Sequence, residues 1–586
     1  MLKLIKNFTK KDWLIIGISL VLIFMQVWLD LKMPDYMSQI TVLVETDGSK
    51  MSDILKNGGY MLLCAFGSLL GAFIVGFIIA KLSAGFSKKI RNKIFSKVEN
   101  LSMSEIKNFS TNSLITRTTN DVTQVEMFIG MGLQLLLKAP ITAIWAITKI
   151  LNKSWEWSAV TAVAVVILLS VIGVLVMLVM PKFKIVQKLT DKLNGVTREN
   201  LNGIRVVRAF NAEDYQQDKF ENVNNDLTNL QLFNQKTMSI LSPVMYLVMY
   251  MLTLSIYFIG AKLINEAMMA DKIALFGDMV VFSSYAMQII MAFLMLAMIF
   301  MILPRAQVSA NRINEVLDTQ VSVKDGEYAK INTEEIGTVE FRNVSFKYPD
   351  AEEYLIKNVS FKANKGETVA FIGSTGSGKS TLINLIVRFY DVTEGEILVD
   401  GINVKDYKLE TLYKKIGYVS QKAVMFDGTI DYNIRYGESK NEKTDETVKS
   451  AALISQAQEF ILNMDDGYET HIAQGGTNVS GGQKQRLSIA RAIAKNPEIF
   501  IFDDSFSALD YKTDAVLRKN LKKYASDATS LIVAQRIGTI MNANKILVLD
   551  NGECVGMGTH KELLKSCEVY KEIALSQLSK EELENA

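Results

Sequence analysis

The sequence predicts a two-part protein, with an all-α domain of six membrane-spanning helices followed by an α/β domain built around a phosphate-binding loop. Long uncharged apolar runs lie mostly before residue 305, whereas the second half carries a glycine-rich loop between an apolar strand and a helix. A chain of 586 residues is also too long for a single hydrophobic core. We therefore expect a transmembrane domain over residues 1–318, a charged linker over 319–336 and an α/β domain over 337–586.

Six segments are long and apolar enough to cross a bilayer, which takes about 20 helical residues. The predicted spans are residues 13–31, 60–82, 127–151, 157–180, 237–262 and 279–303. The third span is the weakest, because Lys138 and Pro140 interrupt it. Lysine and arginine number eight over residues 81–126 and nine over 181–236, but only three over 30–56. The positive-inside rule therefore places these two basic loops, both termini and the α/β domain in the cytoplasm.

Two features within the predicted spans bear on what the protein handles. Lys138 lies about ten residues into its span, where an ionisable residue defaults to a functional role. The favoured alternative is that Lys138 faces an aqueous vestibule or snorkels to the interface. The last span carries a stripe of residues on one helical face, namely Met287, Met291, Met295, Met298 and Ile302. Thioether side chains re-pack around varied apolar ligands, although such a stripe is more often plain packing or lipid contact.

Composition argues against several other functions. The net charge of +2 is too small to indicate a nucleic-acid partner, so we expect none. The three cysteines are scattered and do not form a disulfide framework or a metal-ligand spacing. With only two histidines, the chain has little scope for a histidine metal site.

The α/β domain is organised around a phosphate-binding loop. An apolar strand over residues 368–372 leads into the G-x-x-x-x-G-K-[ST] pattern, and a helix begins near Lys379. The loop and its next residue are Gly373, Ser374, Thr375, Gly376, Ser377, Gly378, Lys379, Ser380 and Thr381. The glycines direct backbone N–H groups into one concavity, Lys379 reaches the β- and γ-phosphates, and the Ser380 hydroxyl completes a Mg²⁺ shell. We therefore expect the chain to bind a nucleoside triphosphate.

Two further motifs indicate an anion site and a metal site. A second glycine turn opens a predicted helix with the residues Ser480, Gly481, Gly482 and Gln483. This turn repeats the arrangement of backbone donors and a helix N-terminus aimed at an anion. A buried strand over 499–503 ends in Asp503 and Asp504. The first acid is placed to hold Mg²⁺ through water, and the second to orient or deprotonate an attacking water.

The ordered motifs resemble the nucleotide-binding domain of an ABC transporter. The aromatic A-loop, Walker A, Q-loop, signature, Walker B, D-loop and switch positions are matched in order by Tyr348, Gly373–Ser380, Gln421, Val479–Gln483, Asp503–Asp504, Ser507–Asp510 and Gln535. With six spans ahead of it, the chain resembles an ABC exporter half-transporter of the multidrug and lipid-exporter type, a multi-pass protein of the cell membrane lipid bilayer.

The resemblance implies ATP and Mg²⁺ as cofactors. It assigns the adenine to Tyr348, the β/γ-phosphates to Lys379, and Mg²⁺ with its waters to Ser380, Gln421 and Asp503. It also implies that Ser480–Gln483 contacts the γ-phosphate of ATP seated on a partner chain.

Two positions depart from the family pattern. The family usually has glutamate after the Walker B aspartate and histidine at the switch, where this chain has Asp504 and Gln535. An aspartate carboxylate sits roughly 1.5 Å further back than a glutamate carboxylate, and misplacement of that order costs about 10²-fold in rate. Glutamine hydrogen-bonds a γ-phosphate but carries no positive charge and no transferable proton. We therefore expect the catalytic set Asp504, Gln535 and Gln421 to cleave ATP slowly, with drift around a still active site as the alternative.

The signature is nearly intact, with Val479 in place of the usual leucine. The sequence thus predicts a chain that donates a working signature to a partner while its own Walker site is weak. We expect a heterodimer with a second ABC half-transporter, similar to the bacterial heterodimeric multidrug exporters, that moves a lipophilic small molecule, drug or lipid, out of the cytoplasm or inner leaflet. The alternatives are a homodimeric lipid or peptide exporter and an ATP-gated regulatory subunit with little pumping of its own.

Overall fold

The computed structural model describes residues 1–46, 48–151, 153–328, 335–439 and 442–578. Side-chain positions are described for all of these except Leu2, Lys184, Met269, Ala270, Phe300 and Met301. Residues 329–334 of the expected linker and 579–586 of the expected α/β domain lie outside the described residues. Packing divides the chain into two units, and the first comprises Met1–Glu99 and Thr111–Thr319, the second Asn100–Ser110 and Gln320–Ala586.

The first unit is helical, and in its described ranges six helices are long and apolar enough to cross a membrane. The long helices are Lys10–Glu45, Met51–Glu99, Leu133–Ile150, Trp155–Asn202, Glu213–Ser239, Leu241–Glu266 and Met269–Asp318. Shorter segments are Leu2–Ile5, Thr111–Thr118, Asn120–Met127, a π-helical turn at Phe128–Gly132, and Ile204–Ala209. Since a helix rises about 1.5 Å per residue, the 48-residue helix Trp155–Asn202 is more than twice as long as a bilayer core is thick.

Local sequence accounts for how these helices begin and continue. Thr9 caps the first long helix, because its hydroxyl accepts from the Asp12 amide while Asp12 accepts from the Thr9 amide. Pro140 and Pro181 lie inside helices that continue through them. Prolines are tolerated in membrane helices, where neighbouring groups satisfy the freed carbonyls.

Lys138 forms an ion pair with an acid on another helix of the first unit. Its Nζ lies 3.6 Å from Asp30 Oδ2, and the Ser68 hydroxyl donates to the other oxygen of that carboxylate. Nearer the end of the same helix, Lys149 Nζ lies 2.7 Å from Asp35 Oδ2. An acid on the first long helix thus pairs with the Lys138 cation, and the expectation that Lys138 faces a vestibule or snorkels stays a prediction.

We expect Asp30→Asn and Lys138→Met each to destabilise the chain more than the double substitution does. A single change leaves one poorly solvated charge without its partner, at a cost of about 1–3 kcal/mol, whereas the double change removes both charges. The measurement is the thermal unfolding midpoint of the full chain in lipid nanodiscs. Additive losses in the double variant would contradict the pairing.

The second unit contains a six-stranded sheet with a largely parallel arrangement. Its strand order is Glu553–Gly558, Lys545–Asp550, Thr368–Gly373, Thr529–Val533, Ile499–Asp503, Ile416–Val419. Only the edge strand Glu553–Gly558 pairs antiparallel. A four-stranded antiparallel sheet comprises, in order, Ile356–Ala363, Val339–Phe346, Glu394–Val399, Ile402–Asn403, and Gly428–Thr429 pairs separately with His471–Ile472.

The second unit also contains eleven described helices. They are Met103–Asn108, Lys379–Ile386, Leu409–Lys415, Ile430–Arg435, Asp445–Ile454, Gln458–Leu462, Gly481–Ala494, Tyr511–Tyr524, Ile537–Ile540, His560–Ser566 and Glu568–Leu575, with 3₁₀ turns at Val404–Asp406, Gly467–Glu469 and Gln474–Gly476. The central strands Ile499–Asp503 and Thr529–Val533 are buried at every position, as the continuous apolar pattern of a two-sided parallel sheet predicts.

Candidate functional site

Four neighbouring parallel strands end at one edge of the large sheet. They pair in register, so that Val533 is opposite Asp503 and also opposite Phe371 near the end of its strand. The phosphate loop, the Asp503–Asp504 pair, Gln535 and Gln421 each follow the carboxyl end of one of these strands. Open α/β sheets bind their ligands at that edge. The topology therefore brings together residues that are more than 160 positions apart in the sequence.

The phosphate loop is a tight glycine turn. A side chain at Gly373 would place its Cβ 2.0 Å from the Leu549 carbonyl oxygen, and Gly378 has a φ of +93° that favours glycine. Open space lies beside Gly376. Lys379 Nζ lies 2.9 Å from Gly373 O and 2.7 Å from Ser374 O, so the ammonium is held across the loop.

Ser380 and Asp503 form the oxygen pair predicted for a metal. The Ser380 hydroxyl donates to Asp503 Oδ1 over 2.8 Å, which joins the first turn of the loop helix to the end of the central strand. Among the described residues, no group of three or more His, Cys, Asp or Glu is arranged to hold a metal ion. A hydroxyl and one carboxylate are nonetheless the donors that suit Mg²⁺ when phosphate oxygens and water supply the remaining ligands.

Asp504 lies at the centre of a second cluster. Its Oδ2 accepts from Gln421 Nε2 over 3.2 Å and from Gln535 Nε2 over 2.9 Å. Asp504 is buried and has a φ of 45°, a left-handed conformation that aspartate adopts more readily than most residues. The structure thus places Gln421 on Asp504, and gives it no hydrogen bond to Ser380 or Asp503 within the described side chains.

Burial dominates the electrostatics of this site. It raises the pKa of Asp503, an effect that the neighbouring Asp504 charge reinforces and that the Ser380 hydrogen bond and Lys379 oppose. Burial likewise raises the pKa of Asp504, against the hydrogen bond from Gln421 and the charge of Lys379. The pKa of Lys379 is lowered by burial, and the charges of Asp504 and Asp503 only partly oppose that shift. The two acids and the lysine therefore form one mutually dependent charge cluster at the mouth of the loop.

Tyr348 is fixed beside the phosphate-loop helix. Its hydroxyl lies 2.9 Å from Thr381 Oγ1, and its ring packs edge-on against Tyr390 with centroids 5.2 Å apart. Lys107, from the short helix Met103–Asn108, lies 5.4 Å from the centre of the Tyr348 ring. The ring is thus fixed beside the phosphate-loop helix, and sequence reasoning missed Lys107 because it is distant in sequence.

The signature turn starts the helix Gly481–Ala494. Ser480 caps this helix, since its hydroxyl accepts from the Gln483 amide while Gln483 Oε1 accepts from the Ser480 amide. Open space lies beside Gly481. Within the described residues, this turn makes no hydrogen bond to the phosphate loop.

These groups fit a nucleoside triphosphate with Mg²⁺. The glycine cradle with a cation across it suits phosphates, the Ser380–Asp503 oxygen pair suits Mg²⁺, and Tyr348 suits a purine. When bound, the metal would neutralise phosphate charge. One contributing residue could not be found from the sequence, since no motif indicates it. Gln577, near the C-terminus, hydrogen-bonds the backbone on both sides of Arg536.

Comparison with known proteins matches both units to one family. The model for the ABC transporter transmembrane region matches residues 16–293, and the model described as ABC transporter matches residues 356–507. The chain is 36% identical over 582 residues to the ABC transporter ATP-binding protein YfiB of Bacillus subtilis (98% of each chain covered). It is 37% identical over 554 residues to an ABC transporter ATP-binding protein of Mycobacterium tuberculosis (92% of this chain and 93% of that protein).

A further relative has a named activity. The chain is 32% identical over 499 residues to the ATP-dependent lipid A-core flippase of Pseudomonas aeruginosa, covering 84% of this chain and 80% of that protein. Among solved structures, a bacterial Atm1-family ABC exporter with ATP bound superimposes with a TM-score of 0.82 at 24% identity, covering 96% of this chain and 98% of that one. That structural match supports the fold, which is the predicted six-helix transmembrane domain followed by an ABC ATPase domain.

We expect Tyr348→Ala to weaken ATP binding and Tyr348→Phe to preserve it. Base–aromatic stacking contributes about 1–3 kcal/mol, so the alanine variant should bind roughly 5- to 150-fold more weakly, whereas phenylalanine keeps the ring and loses only the Thr381 hydrogen bond. The measurement is equilibrium binding of a fluorescent ATP analogue labelled on the ribose. Equal losses in both variants would show that the hydroxyl contact matters and that the ring does not stack on adenine.

Proposed function

Because this chain belongs to the ABC transporter family, as a membrane-embedded half-transporter of an ATP-driven exporter, we propose that it is the weakly hydrolysing subunit of a heterodimer. In this proposal the chain binds ATP and Mg²⁺ at its own Walker motifs and cleaves ATP slowly. Its signature, Ser480–Gln483, completes a faster site on a second, dissimilar half-transporter. The assembly lies in the cell membrane with its ATPase domains in the cytoplasm.

The arrangement around Asp504 carries this proposal. A general base needs a free lone pair on its carboxylate to accept a proton from the attacking water. Two amide N–H groups, from Gln421 and Gln535, already donate to the same Asp504 oxygen. Neither amide can accept or relay that proton. The water would therefore meet a carboxylate that is set back by one methylene and saturated on one oxygen, which favours retention of ATP over cleavage.

The signature turn supports the assignment of a partner. Its helix is capped, and no described atom lies within 4 Å of a Cβ position built at Gly481, whereas the Ala508 carbonyl oxygen lies 3.3 Å from that at Gly482. A homodimer of this chain would combine two good signatures with two poor Walker sites and would turn over slowly. A partner with glutamate and histidine at the positions of Asp504 and Gln535 would give one fast site per assembly.

A cleft in the first unit supports lipophilic cargo. It has a volume of about 450 Å³ and lies beside the predicted inner ends of the third to sixth spans. Its lining combines apolar and amide side chains with one arginine, namely Gln124, Met127, Val179, Phe183, Val186, Gln231, Asn234, Gln235, Met238, Ile302 and Arg305. Asn234 is 8% exposed, and its Oδ1 has no hydrogen-bond partner among the described residues. Such a lining suits amphipathic compounds, and the lipid A relative is consistent with a lipid.

We expect Asp504→Glu combined with Gln535→His to raise ATP hydrolysis by the chain about tenfold or more. The longer acid reaches toward the attacking water and the imidazole supplies a transferable proton, and correct placement is worth up to about 10²-fold. The measurement is single-turnover hydrolysis of radiolabelled ATP. Asp503→Glu, which adds the same methylene at the neighbouring acid, serves as control and should not raise the rate. An unchanged rate in the double variant would mean that these two positions do not limit hydrolysis.

We also expect the chain purified alone to hydrolyse ATP slowly and to move little cargo in proteoliposomes. Together with a half-transporter that carries the missing glutamate and histidine, it should transport lipophilic dyes or fluorescent lipids. The measurement is ATP-dependent transport by vesicles holding either one protein or both. Brisk transport by the chain alone would support the homodimeric alternative, and ATP-gated leakage without accumulation would support the regulatory one.

A further inference from the structure

The side chain of Gln577, near the C-terminus, hydrogen-bonds both ends of the switch loop, which is defined as residues 535–537. Its Oε1 accepts from the Ile537 amide over 2.8 Å, and its Nε2 donates to the Gln535 carbonyl over 2.7 Å. One side-chain amide thus ties down the backbone on both sides of Arg536. Gln577 lies 42 residues beyond Gln535 in sequence, so the contact depends on tertiary structure.

The support behind Gln577 is part of the core. It follows the helix Glu568–Leu575, and its own amide donates to the Ala574 carbonyl over 3.1 Å. Ala574 and Tyr570 on that helix are fully buried, and the Tyr570 hydroxyl lies 2.7 Å from His560 Nδ1. The helix that precedes Gln577 is therefore anchored in the core of the domain.

The switch loop has few other restraints. Gln535 and Arg536 are both exposed. The loop precedes the four-residue helix Ile537–Ile540, whose N-cap residue Arg536 makes no side-chain capping bond. Gln577 satisfies the first amide of that helix, which an N-terminal turn otherwise leaves without an intrahelical partner. Other ties among the described residues are the Gln535 side chain on Asp504, a 3.3 Å hydrogen bond from Arg536 Nη2 to the Ser507 carbonyl, and a 3.2 Å hydrogen bond from the Thr539 amide to the Arg536 carbonyl.

We propose that Gln577 is a positioning residue that holds the switch loop so that the Gln535 amide stays directed at Asp504 and the ATP site. It acts through the Gln535 backbone and does not touch the nucleotide. The inference rests on the proposed role of Gln535 in hydrolysis at this site. It makes the C-terminal segment a determinant of how fast this subunit cleaves ATP.

The two-sided contact needs an amide. Glutamate has nearly the same shape and keeps the bond from the Ile537 amide, but it places a carboxylate oxygen against the Gln535 carbonyl oxygen. Gln577→Glu therefore breaks one bond with little change in volume. Gln577→Met removes both bonds while preserving the length of the side chain. Glu572→Gln, an exposed position on the same C-terminal helix, is the matched control.

The first measurement is amide hydrogen exchange of the full chain with bound ATP and Mg²⁺. In Gln577→Met, exchange at Ile537 should rise about fivefold to tenfold, the loss of one hydrogen bond of about 1 kcal/mol. The central strand Thr529–Val533 should keep its protection, and Glu572→Gln should match the parent. Unchanged exchange at Ile537 would show that Gln577 does not restrain the switch loop, and this readout does not depend on the rate of ATP hydrolysis.

The second measurement is the single-turnover rate of ATP hydrolysis, with ATP affinity measured alongside. Gln577→Glu should raise the rate constant about tenfold, because a loosened Gln535 amide leaves the Asp504 oxygen free to accept the proton of the attacking water, while changing the ATP dissociation constant by less than about twofold. In a Gln535→Ala background the same substitution should have no further effect, which a merely structural role would not produce. An equal additional change in that background, or a lower rate in Gln577→Glu, would overturn the inference. If the parent chain hydrolyses ATP rapidly and the variants still show this pattern, the proposed weak site is wrong and the inference about Gln577 is retained.

Discussion

The parallel register of four buried strands is the constraint on which the rest of the site depends. Strands Thr368–Gly373, Thr529–Val533, Ile499–Asp503 and Ile416–Val419 all point the same way, so their carboxyl ends lie side by side. Each end contributes one component: phosphate loop, switch, acidic pair and Gln421. Because the strands are apolar on both faces, they are fixed by the core on either side. A shift of one strand by one residue would separate Ser380 from Asp503 and Gln535 from Asp504.

On this rigid edge, small side-chain differences have large chemical effects. The binding half of the site is complete, with Lys379 across the loop and the Ser380 hydroxyl on Asp503. In the proposed function the cleaving half is weaker, because the Asp504 carboxylate shares one oxygen between two amides. In the proposed heterodimer, a long-lived ATP at this site would hold the two ATPase domains together while the partner's site cycles. The proposal of a dissimilar partner follows from that division of labour.

Most of the site could be predicted from the sequence because its residues lie in contiguous motifs with fixed local geometry. The phosphate loop, the acids after residue 502 and the capped turn at Ser480 are of this kind. Contacts made by tertiary structure could not be predicted. Gln577 hydrogen-bonds Gln535, which lies 42 residues earlier, and Asp30 on the first long helix pairs with Lys138 on the helix Leu133–Ile150. The spans were predicted near their apolar limits, whereas the helices continue through charged sequence, since once formed they propagate without needing apolar residues.

The proposal that this subunit retains ATP can be tested by identifying the nucleotide bound to each subunit during turnover. The assembled exporter would be allowed to turn over with an azido-ATP analogue, stopped by rapid removal of free nucleotide, and crosslinked, after which the label on each chain would be identified as triphosphate or diphosphate. We expect label crosslinked to this chain beside Tyr348 to be mainly triphosphate, and label crosslinked to the partner to be mainly diphosphate. Equal amounts of diphosphate on both chains would contradict it.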